Sequence, residues 1–113
     1  MSAVPHRIPL ARILAPQSVA VIGASDDVSK FGGRVLFHLL KHRYGGRIVP
    51  VNPKREVLFG LPVARSIAEA GPIDVATVAV PPEQVEETVT ACAAAGVGAC
   101  VIITAQMAES GAE

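Results

Sequence analysis

Short apolar runs alternate with stretches of helical spacing along this chain, and each run ends at a glycine, a proline or a polar turn. Val19 to Ile22, leading to Gly23, lacks polar alternation, which predicts a short strand covered on both faces. From Phe31 to Arg43, Val35, Leu36, Leu39 and Leu40 share one side, which predicts a helix. Lys41, His42 and Arg43 sit in its last turn, where cations meet the negative helix end, and Gly45-Gly46 are expected to stop it. Arg47 to Val51 predicts a second strand. Glu56 to Ala64 reads as irregular, with Gly60 and Pro62 as breakers. Ser66 is placed to cap a short helix through Ala70, ended by Gly71-Pro72. Asp74 to Val80 predicts a third strand, broken by Pro81-Pro82, which open a helix whose Glu83, Glu86 and Glu87 load the positive end. Val85, Val89 and Cys92 should face inward, and Gly96 should close that helix. Ala99 to Thr104 predicts a fourth strand.

Strands alternating with helices over short links predict an α/β fold: a Rossmann-like, doubly wound parallel sheet. Strand one should lie centrally, with strand two on one side and strand four or three on the other. Residues 1–17 read as an N-terminal arm: Met1 to Pro9 is expected to be mobile, and Leu10 to Leu14 forms a helical turn ended by Pro16. Residues 18–113 read as one domain, truncated at its C-terminal edge, because folds of this kind usually carry a fifth or sixth strand. Such an open edge predicts self-association through the sheet.

Composition sharpens this picture. Half of the 113 residues are hydrophobic but only 4% are aromatic, and an Ala, Val, Ile and Leu core suits a covered parallel sheet. The formal charge is zero, yet all ten Lys and Arg lie between Arg7 and Arg65 with only Asp26, Asp27 and Glu56, a net of +7 there and −7 beyond. A basic front half beside a glycine loop fits an anionic ligand. Zero net charge with few aromatics argues against nucleic acid as a partner. No apolar run reaches about 18 residues, which argues against a membrane span. Cys92 and Cys100 show no metal-ligand or CxxC spacing, so core thiols of a reduced, cytoplasmic protein are expected.

Ligands of open α/β sheets bind beyond the carboxyl ends of the strands. That rule brings together Gly23 to Gly33, Asn52 to Arg55, Val80 to Pro82, and Thr104 to Met107. A nicotinamide dinucleotide needs G-x-G-x-x-G and an acid at the end of strand two. Here Ser25 and Val28 replace the second and third glycines, and strand two ends in Asn52, Lys54 and Arg55. Those cations repel no phosphate, so NAD is disfavoured, while NADP or another ribose-phosphate ligand stays open.

The ordered series Ser18-Val-Ala-Val-Ile-Gly-Ala-Ser25, Phe31-Gly-Gly, Val49-Pro-Val-Asn-Pro-Lys54, Gly60-Leu-Pro, Asp74 to Val80-Pro-Pro and Val101-Ile-Ile-Thr104 resembles the CoA-binding domain of NDP-forming acyl-CoA synthetases. That family includes ADP-forming acetyl-CoA synthetase and the α subunit of succinyl-CoA synthetase. The resemblance spans roughly Leu10 to Glu109. It implies that the loop Gly23-Ala24-Ser25, continuing through Gly32 to Gly33, meets the CoA phosphates through backbone N–H groups and the helix N-terminus; the Lys30 side chain is placed either to reach a phosphate or to stay solvated. It implies that Asn52, Pro53, Lys54 and Arg55 hold the adenosine end, with Lys54 or Arg55 on a phosphate. Val80, Pro81 and Pro82 would pack on adenine or pantetheine, and Thr104 would line the pantetheine path. Gln106-Met107-Ala108-Glu109 departs from the family's usual Gly-Phe and acid.

The resemblance further implies that CoA or acyl-CoA is the ligand, and that catalysis resides in other domains or subunits. There a phosphorylated histidine and an ATP-grasp unit use ATP and Mg2+. Two alternatives remain: the CoA-binding-like front of a protein acetyltransferase or a non-catalytic sensor, and an NADP-binding oxidoreductase domain. No catalytic residue is assigned. Ser25 lacks a G-x-S-x-G setting, Asp26 and Asp27 read as loop or capping acids, and His38 and His42 read as a partly exposed pair on one helix face.

Overall fold

A computed structural model of the chain describes residues 15–103. β1 (Ser18–Ile22) enters first, and a glycine-bearing loop leads to α1 (Phe31–Lys41). β2 (Arg47–Val51) is followed by a small hairpin of β3 (Val57–Leu58) and β4 (Leu61–Pro62). A 3-10 turn at Ile67–Ala70 leads to β5 (Val75–Val78). A second 3-10 turn, Pro82–Gln84, runs into α2 (Val85–Ala94), and β6 (Ala99–Ile102) closes the series. The main sheet is parallel, in the order β2-β1-β5-β6. β1 is therefore central, and the third long strand of the sequence, not the fourth, is its second neighbour.

The strands alternate their side chains between two apolar layers. Val19 and Val21 face α1 and pack with Leu36, Ala24 and Leu58. Ala20, Ile22, Val49, Val51, Ala76 and Val78 point to the other face, where Ile67, Ala70, Ile73 and Cys92 cover them. Both faces of β1 are thus dry, as its unbroken apolar run requires. Beyond β2, the segment at Ala64 adds a parallel bridge to Val51; Ala64 N–H donates to Pro50 O and Asn52 N–H to Ala64 O, both at 2.9 Å. Pro50 has no N–H to offer, and a proline is tolerated on such an outer strand. On the opposite edge Val101 and Ile102 are 49% and 41% exposed. At the strands' entry end, the Asp74 carboxylate accepts Gln17 N–H and Ser18 Oγ accepts Asp74 N–H, each at 2.8 Å.

Several boundaries differ from the sequence expectation. Helix α1 stops at Lys41, ahead of Gly45-Gly46, because Arg43 itself takes a left-handed φ of 55°. Arg43 N–H then donates to Leu40 O and Tyr44 N–H to Leu39 O, the paired bonds of a Schellman motif. The segment expected to be irregular contains the β3–β4 hairpin. Phe59 and Gly60 both have positive φ, 51° and 80°, as a two-residue type I′ turn requires. Ser66 makes no side-chain capping bond. β5 and β6 are shorter than the predicted strands. The expected turn at Leu10 to Leu14 and the residue Thr104 lie outside the described residues.

Candidate functional site

The carboxyl ends of β1, β2 and β5 open into a cavity of about 760 Å3. Its floor is built by close backbone approach. Gly23 leaves β1 with φ +84°, and a Cβ there would lie 2.1 Å from Ala79 O, so only glycine fits against the exit of β5. The N–H groups of Gly23 and Ala24 donate to Val51 O at 3.1 and 3.3 Å, and Ala79 N–H donates to Ile22 O at 2.9 Å. Those bonds tie three strand ends together. They also mean that the Gly23 and Ala24 N–H groups, expected to meet a phosphate, are already committed within the protein.

The loop that follows shapes itself. Ser25 Oγ accepts Asp27 N–H at 3.0 Å. The Asp27 carboxylate accepts Ser29 N–H at 3.0 Å and the Ser29 hydroxyl at 2.6 Å. The Ser29 hydroxyl holds the Asp27 carboxyl below its ordinary value. The loop then lies directly on the first turn of α1: a Cβ on Gly32 would sit 1.9 Å from Gly23 O, and one on Gly33 2.2 Å from Asp27 O. Both glycines are buried. They seat the loop on the helix; neither lines the cavity.

Asn52 joins this loop to the turn after β2. Its Nδ2 donates to Ala24 O at 2.9 Å and its Oδ1 accepts Lys54 N–H at 2.7 Å. Lys54, from this turn, and Lys30, from the loop entering α1, both line the cavity. Arg55 does not line it. Its guanidinium pairs at 2.9 Å with the carboxylate of Asp26, which does not line the cavity either, so the pair straps the two loops together. That contact holds the Asp26 carboxyl below its ordinary value, through the hydrogen bond first and the charge second.

Of the residues singled out from sequence, Gly23, Lys30, Asn52, Pro53, Lys54, Val80 and Pro81 meet at this cavity. Ala24, Ser25, Gly32, Gly33, Arg55 and Pro82 do not line it. Sequence reasoning missed two contributing segments: Arg65 and Ser66 from the turn after β4, and Gln84, Glu87 and Thr88 around the start of α2. Arg65 does carry a sequence signal, since a cation just ahead of a helical turn gains nothing from the turn's positive end. Among the described residues, the cavity thus gathers Lys30, Lys54 and Arg65 against one acid, Glu87, beside an apolar wall of Val51, Ala79, Val80 and Pro81. Among the described residues no carboxylate forms an ion pair with any of those three cations. Cations beside apolar side chains in one cavity suit a ligand that joins phosphate to an apolar part.

Nothing else among the described residues forms a reactive constellation. No group of three His, Cys, Asp or Glu is placed to hold a metal there. His38 and His42 stack with centroids 5.9 Å apart on the flank of α1, away from the cavity. Cys92 is buried, and burial, then the neighbouring Cys100, pushes its thiol up to about 12, so it is an inert core group. No helix among the described residues is long and apolar enough to cross a membrane.

The CoA binding domain family model matches residues 17–113. A trans-feruloyl-CoA synthase from an unknown prokaryotic organism is 46% identical over 103 residues, covering 90% of this chain and 15% of that protein. The subunit alpha of an ADP-forming acetate–CoA ligase II from Pyrococcus furiosus is 41% identical over 99 residues, covering 87% of this chain and 21% of the relative. Among solved structures, the apo form of a dinucleotide forming acetyl-coenzyme A synthetase 1 from Ca. Korarchaeum cryptofilum superposes with a TM-score of 0.82. It is 36% identical and covers 92% of this chain and 23% of that one. The chain therefore spans about a fifth or less of the length of these two curated relatives.

Proposed function

The chain belongs to the CoA binding domain family, and we propose that it is the CoA-binding domain of an ADP-forming acyl-CoA synthetase, with the acid-activating chemistry carried by other domains or subunits. The observation that carries the ligand is the cavity itself: Lys30, Lys54 and Arg65 face it without an acid partner among the described residues, beside the apolar wall of Val80 and Pro81. Phosphate oxygens satisfy the cations through charge-assisted bonds, and the flat adenine packs on the wall.

The end of β2 argues against NAD. A ribose diol needs a carboxylate acceptor there. Asn52 occupies that place, and both ends of its carboxamide are committed, to Ala24 O and to Lys54 N–H. In the parent enzyme the overall reaction joins an acid to CoA while ATP becomes ADP and phosphate. ATP and Mg2+ act in those other domains, and neither His38 nor His42 takes a phosphoryl-carrying role here.

Ligand-linked stability tests this reading. A ligand at a hundredfold its Kd adds about 2.7 kcal/mol to the folded state. Saturating CoA should raise the urea midpoint of the chain by a corresponding amount, and NADH should not move it. A CoA-independent midpoint would overturn the proposal.

A further inference from the structure

Four cations compete for the role of phosphate reader near the end of β2, and the geometry separates them. Arg55 is drawn to Asp26 at 2.9 Å and does not reach the cavity wall. Lys30 comes from the loop entering α1 and not from the end of β2. Lys54 and Arg65 remain. Lys54 follows Asn52 closely, held by its N–H bond to Asn52 Oδ1. Arg65 arrives from a different part of the chain, yet its place is equally fixed. Ala64 pairs with Val51 in a parallel bridge, so Arg65 comes level with Asn52 at the end of β2. On its other side Ile67 is buried in the core and anchors the turn.

In open α/β sheets the end of the second strand is where a nucleotide ribose lies. A carboxylate there takes the ribose hydroxyls, whereas an arginine nearby accommodates a phosphate on the ribose. We propose that Arg65, acting with Lys54, binds the ribose-linked phosphate of the ligand and so determines the preference for a phosphorylated ribose. Its planar guanidinium presents two parallel N–H donors to such a monoester, a geometry Lys54 lacks. Arg55 acts elsewhere, strapping the two loops together with Asp26 outside the site. This inference rests on the proposed CoA site, where the group concerned is the 3′-phosphate; an NADP ligand would offer a 2′-phosphate to the same residues.

Calorimetric titration of the chain and its Arg65→Ala, Arg65→Lys and Arg55→Ala variants with CoA, dephospho-CoA, NADPH and NADH tests it. The unsubstituted chain should bind CoA at least about tenfold more tightly than dephospho-CoA, as expected for one charge-assisted contact. Arg65→Ala should bring that ratio to within about threefold while leaving dephospho-CoA binding nearly unchanged; Arg65→Lys should restore part of the ratio. Arg55→Ala should keep it. Arg65 is exposed, so the variants should keep the unsubstituted melting temperature, which is measured alongside. An equal loss for both CoA forms, no loss at all, or a ratio that collapses in Arg55→Ala would overturn the role of Arg65. Discrimination seen only between NADPH and NADH, and abolished by Arg65→Ala, would overturn the CoA reading and leave Arg65 in place. Binding of none of the four ligands would overturn both.

Discussion

Gly32→Ala sets two effects of known sign against each other. In a helix, alanine is favoured over glycine by up to about 1 kcal/mol, so helix propensity alone predicts a more stable protein. The packing predicts the reverse. The new Cβ would fall 1.9 Å from Gly23 O, 2.7 Å from Gly23 C and 3.2 Å from Ala24 Cα, where ordinary contact begins at 3.4 Å. All three atoms are backbone, and the strand exit they belong to is tied to Val51 O by two N–H bonds. Relief therefore requires moving the loop, the end of β1 or the helix, because no flexible side chain can give way. Overpacking costs about 1–3 kcal/mol, and a backbone clash of this depth belongs at the upper end. Against the propensity gain, the net expectation is a loss of about 2 kcal/mol, or about 8 °C in melting temperature for a chain of this size. Urea and thermal unfolding followed by circular dichroism read both. Gly45→Ala is the control, since nothing lies within 4 Å of a Cβ there, and its stability should stay within about 0.5 kcal/mol. A Gly32→Ala protein that melts at or above the parent would refute the claim that α1 and the loop are interlocked through glycine.

Two further perturbations probe the site and the core. Asn52→Ala removes the bonds to Ala24 O and from Lys54 N–H. It should cost about 1–3 kcal/mol and weaken CoA binding by loosening both loops, and an unchanged urea midpoint with unchanged affinity would count against that bridge. The Cys92 thiol, pushed up to about 12 from an ordinary 9.0, keeps its proton in the folded chain while the unfolded chain loses it. Stability should therefore fall as pH rises from about 9 towards 12. Urea melts at pH 8 and pH 10 should show this decline and a shallower one in Cys92→Ala; identical slopes would contradict the buried-thiol account.

The central architecture was legible because its signals are local. An apolar run without polar alternation marks β1, helical spacing marks α1, and β2 matched its predicted bounds. What was not legible depends on backbone conformations that residue type disfavours, or on lateral pairing. Arg43 and Phe59 take positive φ without being glycine, so neither the Schellman end of α1 nor the β3–β4 turn announced itself. The glycines of the first loop stand out in the sequence, but the atoms they fit against do not: Gly23 fits against Ala79, and Gly32 and Gly33 fit under the loop. The place of Arg65 depends on Ala64 pairing beside β2, a contact between segments that no spacing rule encodes. Likewise, the ion pair that holds Arg55 off the cavity lining is made with Asp26, which sits 29 residues away along the chain.

The most direct test of the CoA site is a competition titration in which NADPH and CoA are offered to the same chain. The cavity's cations and its committed Asn52 predict saturable, one-to-one CoA binding that NADPH displaces only at large excess. NADPH binding as tightly as CoA, or more tightly, would contradict the assignment.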